Sequence, residues 1–289
     1  MRVLVTGAAG FSGRAIARWL RAEGHDVIAH HRASPLPADL ADGETWRADL
    51  AGDDALPDRL DAIVHTAATS PPTGAADAVP TATLIRDNAV ATARLAAADV
   101  GVFVYLSSLS IHGTISDPVV TPQTPVVDPD AYGMSKLLGE RAVADRVVAK
   151  RAGPALAIRL PAVIGGGAAR NWPVQVLGKL RRGETVRVFN AEAPFNNVVH
   201  VQDVAAFAAH ALTAPPTGFA AVPVASRDAV RVRDVVTCLA EGAGMAADME
   251  EGPAGKASFT IDISAATALG FAPRDTATAL KDFAREETR

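Results

Sequence analysis

The sequence predicts an α/β fold, a doubly wound parallel sheet followed by a smaller C-terminal lobe. Two observations carry this: short apolar runs alternate with helix-period segments through the first half, and a glycine-rich turn joins the first run to the first helix. In order, Arg2–Val5 reads as a buried strand and Arg14–Glu23 as an amphipathic helix that stops at Gly24. Asp26–Ala29, Ala62–Thr66 and Val102–Leu106 read as further strands, and the alanine-rich stretch Ile85–Val100 as the helix before the last of them. Tyr132–Lys150 reads as a helix and Ala155–Arg159 as the strand after it. Strands separated by helices imply βαβ units with right-handed crossovers. After Leu160 the pattern changes: Gly165-Gly166-Gly167 and the segments near Pro173, Pro194 and Pro215-Pro216 mark loops. The expected division is therefore a sheet domain over 1–160 and a lobe over 161–289, with Ala221–Ala225 returning to the main sheet.

Composition excludes several classes. The chain has 289 residues, 49% of them hydrophobic, which is ample for a buried core. Its net charge of −4 comes from 28 basic and 32 acidic residues. Neither sign forms a long run, so no basic field points to nucleic acid or an anionic membrane. No stretch reaches the about 18 apolar residues of a membrane span; Ala89–Leu106 contains Arg94 and Asp99. The opening run Met1–Gly7 is too short for a signal peptide. Cys238 is the one cysteine and lies in an apolar run, where it reads as a packed core thiol. A cytoplasmic location is expected.

The turn Gly7-Ala8-Ala9-Gly10-Phe11-Ser12-Gly13 stands where a dinucleotide-binding Rossmann-type sheet places its phosphate loop. Glycines there permit a tight turn, and the helix start offers free amides and a positive dipole end to a pyrophosphate. At the end of the second strand, Ile28-Ala29-His30-His31-Arg32 lacks the acid that usually binds the ribose 2′-hydroxyl. His31 and Arg32 stand there instead, and Arg32 suits a 2′-phosphate. NADP is therefore favoured, with NAD as the alternative. Adjacent histidines on a strand point to opposite faces, so no metal site is expected.

Tyr132-Gly133-Met134-Ser135-Lys136 puts a phenol and an ammonium on one helix face at i, i+4. At about 4 Å and an effective dielectric of about 20, the ammonium would stabilise a phenolate by about 4 kcal/mol, or about three pKa units. That would bring a tyrosine into working range as an acid or base. Upstream, Val102–Leu106 leads into Ser107-Ser108-Leu109-Ser110, hydroxyls at the carboxyl end of a parallel strand.

Together these residues resemble the extended short-chain dehydrogenase/reductase family, in its NAD-dependent epimerase/dehydratase branch. The resemblance implies that Ser108, Tyr132 and Lys136 are catalytic, and that Gly7, Ala9, Gly10, Phe11, Ser12 and Gly13 form the cofactor loop. It further implies that Asp49 and Leu50 contact adenine and that Thr66, Ala67 and Ala68, after His65, wall the cofactor. Asn88 matches the family's helix asparagine. Ser107 joins the cofactor set, and Pro161 and Val163 approach the nicotinamide. Arg159–Gly165 and Val199–Ala205 are similar to later family segments. Ser110 is expected to add a second hydroxyl to the substrate pocket, and because the family's lobe closes over the cleft, Asn171, Phe189 and Asn197 are the other expected substrate contacts.

Departures narrow the chemistry. The branch's dehydratases carry an Asp-Glu pair after the catalytic hydroxyl, where this chain has Leu109 and Ser110, so dehydration is not expected. Members that bind nucleoside diphosphates often carry an arginine where this chain has Phe195-Asn196-Asn197, leaving Arg181, Arg182 or Arg187 to compensate. The resulting reading is an NAD(P)-dependent oxidoreductase acting on a ketone of a sugar nucleotide or related small molecule. Epimerisation is the alternative within the class, and a non-catalytic NAD(P)-sensing regulator the alternative outside it. A homodimer is expected through Ile85–Val100 and Tyr132–Lys150, with Ala89, Ala93, Ala96, Ala97, Leu137, Leu138, Ala142 and Val143 as its surface.

Overall fold

The computed structural model describes residues 1–72, 75–148, 153–253 and 257–288. Seven strands form one parallel sheet: β1 (Arg2–Thr6), β2 (Asp26–His31), β3 (Thr45–Arg47), β4 (Ala62–His65), β5 (Val102–Ser108), β6 (Ala155–Leu160) and β7 (Phe219–Pro223). Their order is β7-β6-β5-β4-β1-β2-β3, so the chain winds outwards in both directions from β1 and β4. In-register pairs such as Val3 with Val27 and Val3 with Ala62 fix β1 between its two neighbours. The seventh strand lies two residues earlier than the sequence predicted, and the three-residue edge strand β3 went unrecognised.

Burial on both faces explains the continuous apolar runs. Val3 and Val5 pack with Ile16 and Leu20 of helix α1 (Phe11–Ala22) and Phe207 and Leu212 of a later helix (Val201–Thr213). Leu4, between them, points the other way, into a core with Phe103, Tyr105, Leu95 and Val143. That second face is covered by helix α2 and by helix α3 (Ala131–Val148). Helix α2 runs through Thr81–Leu84, a π-helical turn Ile85–Val90 and Ala91–Ala96. It therefore starts four residues before the predicted Ile85, after Pro80. The predicted end of α3 at Lys150 lies outside the described residues.

The later part of the chain builds its own core from helices Trp172–Arg181, Val232–Ala243 and Thr276–Thr288, with Leu177, Val235, Leu239, Leu280 and Phe283 inside. Cys238 is buried there. A short parallel pair, Ala162–Ile164 with Val198–His200, continues from the end of β6 towards this lobe.

A buried polar knot ties α3 to the sheet. The Glu140 carboxylate accepts from Ser107 Oγ at 2.5 Å and from Arg159 Nε and Nη2 at 3.1 and 3.0 Å. The Glu140 side chain is only 4% exposed, so its charge depends on these partners. Removing one member of such a pair strands the other. Glu140→Ala is therefore expected to cost about 3–5 kcal/mol of stability, read from the urea midpoint. A loss below about 1 kcal/mol would show that the knot is not a structural anchor.

Candidate active site

The strand order reverses between β1 and β4, and at their carboxyl ends the protein opens a cavity of about 730 Å³. The glycine turn forms one wall. Gly7 has φ of +68°, and a Cβ there would meet Ala67 Cα at 2.8 Å. A Cβ on Gly13 would stand 2.2 Å from the Gly7 carbonyl oxygen and 2.5 Å from Thr66 Oγ1. Only glycine lets α1 start this close to β1 and β4. Gly10 is the helix N-cap and supplies no side-chain bond. The first-turn amides of a helix whose Phe11, Ser12 and Gly13 line the cavity are thus left for an anion. This cradle fits the pyrophosphate of NAD(P).

His30 holds the turn from beneath, a role that sequence reasoning missed. The Gly7 amide donates to its Nδ1 at 3.1 Å, and its Nε2 lies 3.1 Å from the Ala48 carbonyl. An amide only donates and a carbonyl only accepts, so the ring is neutral with its proton on Nε2. Burial pushes its pKa down to about 4, which keeps it so. Strand alternation could have identified it, since His30 is the inward member of the pair and His31 the half-buried one. Among the described residues, no group of three His, Cys, Asp or Glu side chains could hold a metal ion.

His31 and Arg32 line the next part of the wall, followed by Asp49 and Leu50. Arg32 is paired with Asp87 at 3.1 Å, and Arg86 bridges Asp87 and Asp49. The bond from Arg86 holds the Asp49 carboxyl below its ordinary range. Burial pushes Asp87 up, but bonds from Thr69, Arg32 and Arg86 outweigh it and keep Asp87 low. This acid lies 55 residues beyond Arg32, and no local pattern joins the two.

Thr66, Ala67 and Ala68 line the cavity, as do Ala9, Ser107, Pro161 and Val163. Asn88 stands behind the lining, fully buried in the π-turn of α2. Its Oδ1 accepts from Thr69 N at 2.8 Å, and its Nδ2 donates to Thr69 O and Ser135 Oγ, both at 2.9 Å. It positions the wall and does not form it; a π-turn is a common device for aiming such a residue.

Ser108, Tyr132 and Lys136 converge on the cavity, Ser108 from the end of β5 and the other two from the first turns of α3. Gly133 permits the approach: a Cβ there would stand 2.1 Å from the Ser110 carbonyl oxygen. Ser108 Oγ donates to Ser110 Oγ at 3.1 Å, although Ser110 itself is not part of the lining. Lys136 is buried, with Nζ 4.2 Å from the centroid of the Tyr105 ring.

The expected electrostatics need correction. Burial pushes the Tyr132 phenol up, opposed by the Ser108 hydroxyl and the Arg170 charge. Burial also pulls Lys136 down to about 7, opposed by Glu140. Desolvation thus dominates both groups, neither shift has the other member of the pair among its causes, and the phenol stays neutral at neutral pH.

Of the four expected substrate contacts, only Asn171 lines the cavity. Phe189 follows a strand whose Val186 and Val188 are buried, and alternation turns it outward, 47% exposed. Asn197 lies off the lining, its Oδ1 buried without a hydrogen-bond partner among the described residues. The neighbouring Arg170, which the sequence reading passed over, does line it and donates across the cleft to Ser70.

With this geometry in place, comparison with known proteins is decisive at the level of family. The pattern of the NAD dependent epimerase/dehydratase family matches residues 3–222. The chain is 30% identical over 319 aligned positions to a dTDP-6-deoxy-L-talose 4-dehydrogenase (NAD(P)(+)) of Kitasatospora kifunensis, covering 99% of this chain and 94% of that protein. It is 32% identical over 130 positions to a 2-alkyl-3-oxoalkanoate reductase of Stenotrophomonas maltophilia, a match that spans 41% of this chain and 37% of the reductase. Among solved structures, MoeE5 in complex with UDP-glucuronic acid and NAD superposes with a TM-score of 0.81 at 27% identity, over 100% of this chain and 98% of that one. The chain belongs to the NAD-dependent epimerase/dehydratase family and is an NAD(P)-dependent enzyme of the short-chain dehydrogenase/reductase class.

Proposed function

We propose that the protein is a cytoplasmic, homodimeric reductase of a ketone on a sugar nucleotide or related small molecule, working in reverse as an alcohol dehydrogenase. Residues 1–160 hold most of the cofactor site, and 161–289 form the substrate lobe with segments that return to the sheet, β7 among them. The observation that carries the reading is the convergence of Ser108, Tyr132 and Lys136 on one wall of the cofactor cavity. Bound NAD(P)H supplies the hydride. Tyr132, held neutral by burial, gives its phenolic proton to the ketone oxygen as the carbonyl is reduced. Ser108 orients that oxygen, and Ser110 holds the Ser108 hydroxyl. Lys136 then stabilises the phenolate. Two relatives named as a dehydrogenase and a reductase agree with redox turnover. Epimerisation is the second reading, favoured by the family's own name. A cofactor-sensing regulator would have no use for a half-buried tyrosine and a buried lysine set together on the cavity wall.

Tyr132→Phe is expected to lower kcat at least 100-fold while leaving NADPH affinity within a few-fold, because only the proton is lost. Fluorescence titration and NADPH absorbance read the two quantities. Near-normal turnover in this variant would remove Tyr132 from the mechanism.

Arg32 supports a preference for NADP, since it lines the cavity just after β2 and the strand end His30-His31-Arg32 carries no acid. Its bond to Asp87 means that a 2′-phosphate must compete for it. We expect NADPH to bind about tenfold tighter than NADH, a gap of about one charged hydrogen bond. The gap should shrink in Arg32→Ala. Tighter binding of NADH by the unaltered protein would reverse the assignment.

The homodimer is supported by exposed Val90 on α2 and Met134 and Leu138 on α3, apolar side chains on adjacent helices. Ala89, Ala96 and Val143 are buried inside the subunit and leave this surface. Light scattering should give twice the 29.8 kDa of one chain, and a mass of one chain would exclude the dimer.

A further inference from the structure

The loop 165–171 crosses from the lobe to the cavity and is held at both ends. The Gly166 and Gly167 amides donate to Glu286 Oε2 at 2.7 Å and Glu287 Oε1 at 2.6 Å, on the C-terminal helix. At the other end, Asn171 has φ of +115°, a conformation costly for a residue with a side chain. Its side chain compensates: Oδ1 accepts from Val174 N at 3.1 Å and Nδ2 donates to the Val163 carbonyl at 2.9 Å. A strained backbone fixed this firmly aims the preceding residue, Arg170.

The guanidinium of Arg170 is only partly used. Nη1 donates to both the carbonyl and the hydroxyl of Ser70, at 3.1 and 2.7 Å. Among the described residues nothing bonds Nε or Nη2, the edge that meets a carboxylate through two parallel hydrogen bonds. Nor does any carboxylate of the described residues pair with Arg170, whereas Arg32, the other arginine lining the cavity, is held by Asp87. Arg170 also lies close enough to Tyr132 for its charge to act on the phenol.

The three arginines of the lobe that the sequence offered for a diphosphate are already neutralised. Arg182 pairs with Glu184 at 2.5 Å, Arg187 with Glu250 at 2.8 Å and Arg181 with Glu287 at 3.6 Å. A nucleoside diphosphate would bring two charges to a lining in which, among the described residues, Arg170 is the one arginine without a carboxylate partner; Arg14, beside Gly167, is not part of that lining. A single carboxylate matches what is there.

We propose that Arg170 is a specificity-determining residue that binds the carboxylate of the substrate, so that the ketone presented to Tyr132 belongs to a small oxo acid and not to a nucleoside diphosphate sugar. This rests on the ketone-reductase reading above and narrows its substrate class. Ser70 holds the guanidinium in place, and its free edge takes the acid beside the reacting carbonyl.

The test is a calorimetric titration of the enzyme loaded with NADP⁺, using 3-oxopentanoate, 4-oxopentanoate and the methyl ester of each. Cofactor and ketone are then both oxidised, so binding is read without turnover. For at least one pair the free acid should bind about 30-fold tighter than its ester, the worth of a charged hydrogen-bond pair. Arg170→Gln should bring that ratio near one and Arg170→Lys should restore part of it, while UDP should not displace the acid. Equal binding of acid and ester by the unaltered protein, a ratio unchanged in Arg170→Gln, or displacement by UDP would each overturn the proposal. Preference for the acid without NADPH consumption on any ketone would uphold the Arg170 site and remove the reductase reading instead.

Discussion

A carboxylate buried beneath the active-site helix can persist only if its charge is met by fixed partners, and Glu140 sets that condition for this molecule. Its partners come from two neighbouring strands: Ser107 near the end of β5 and Arg159 near the end of β6. Satisfying the charge therefore fixes α3 in rotation and height over the sheet. Tyr132, Lys136 and Glu140 follow one another at i, i+4 and i+8 on one helix face. Once Glu140 is locked, Lys136 is brought over Tyr105 and Tyr132 to the cavity edge beside Ser108. The knot positions the cavity wall and also reaches it, through Ser107 in the lining and through the Glu140 charge that opposes the Lys136 shift.

Desolvation then decides the charge states. Lys136, His30 and Tyr132 are each pushed towards the neutral form by burial, although each has a neighbour that opposes the shift. A pair reasoned from Coulomb's law alone overlooks this, because bringing two groups together also removes water from both. A neutral phenol suits a proton donor, and a neutral histidine suits a hinge that accepts from Gly7 and donates to Ala48. The same burial thus sets the resting charge of all three groups.

Much of this was legible beforehand because it is local. Strands buried on both faces read as apolar runs, and a turn that excludes Cβ atoms reads as glycines at Gly7 and Gly13. A tyrosine and a lysine one helical turn apart announce a shared face. The helix bounds were less legible: α2 begins at Thr81 and passes through a π-turn, a register change that no periodicity of single residues signals.

The sequence by itself determined the parallel α/β sheet and the family, and it marked the glycine turn and the serine, tyrosine and lysine that line the cavity, because each is written in short stretches obeying a single period or spacing. Tertiary structure alone decided which side chains share a wall. Arg170 meets Ser70 from 100 residues away, and Arg32 meets Asp87 from 55. It also placed Asn88 behind the wall and paired Arg181 and Arg187 with carboxylates far along the chain. Those outcomes depend on the packing of distant elements and on competition for partners, and a linear chain carries no record of either.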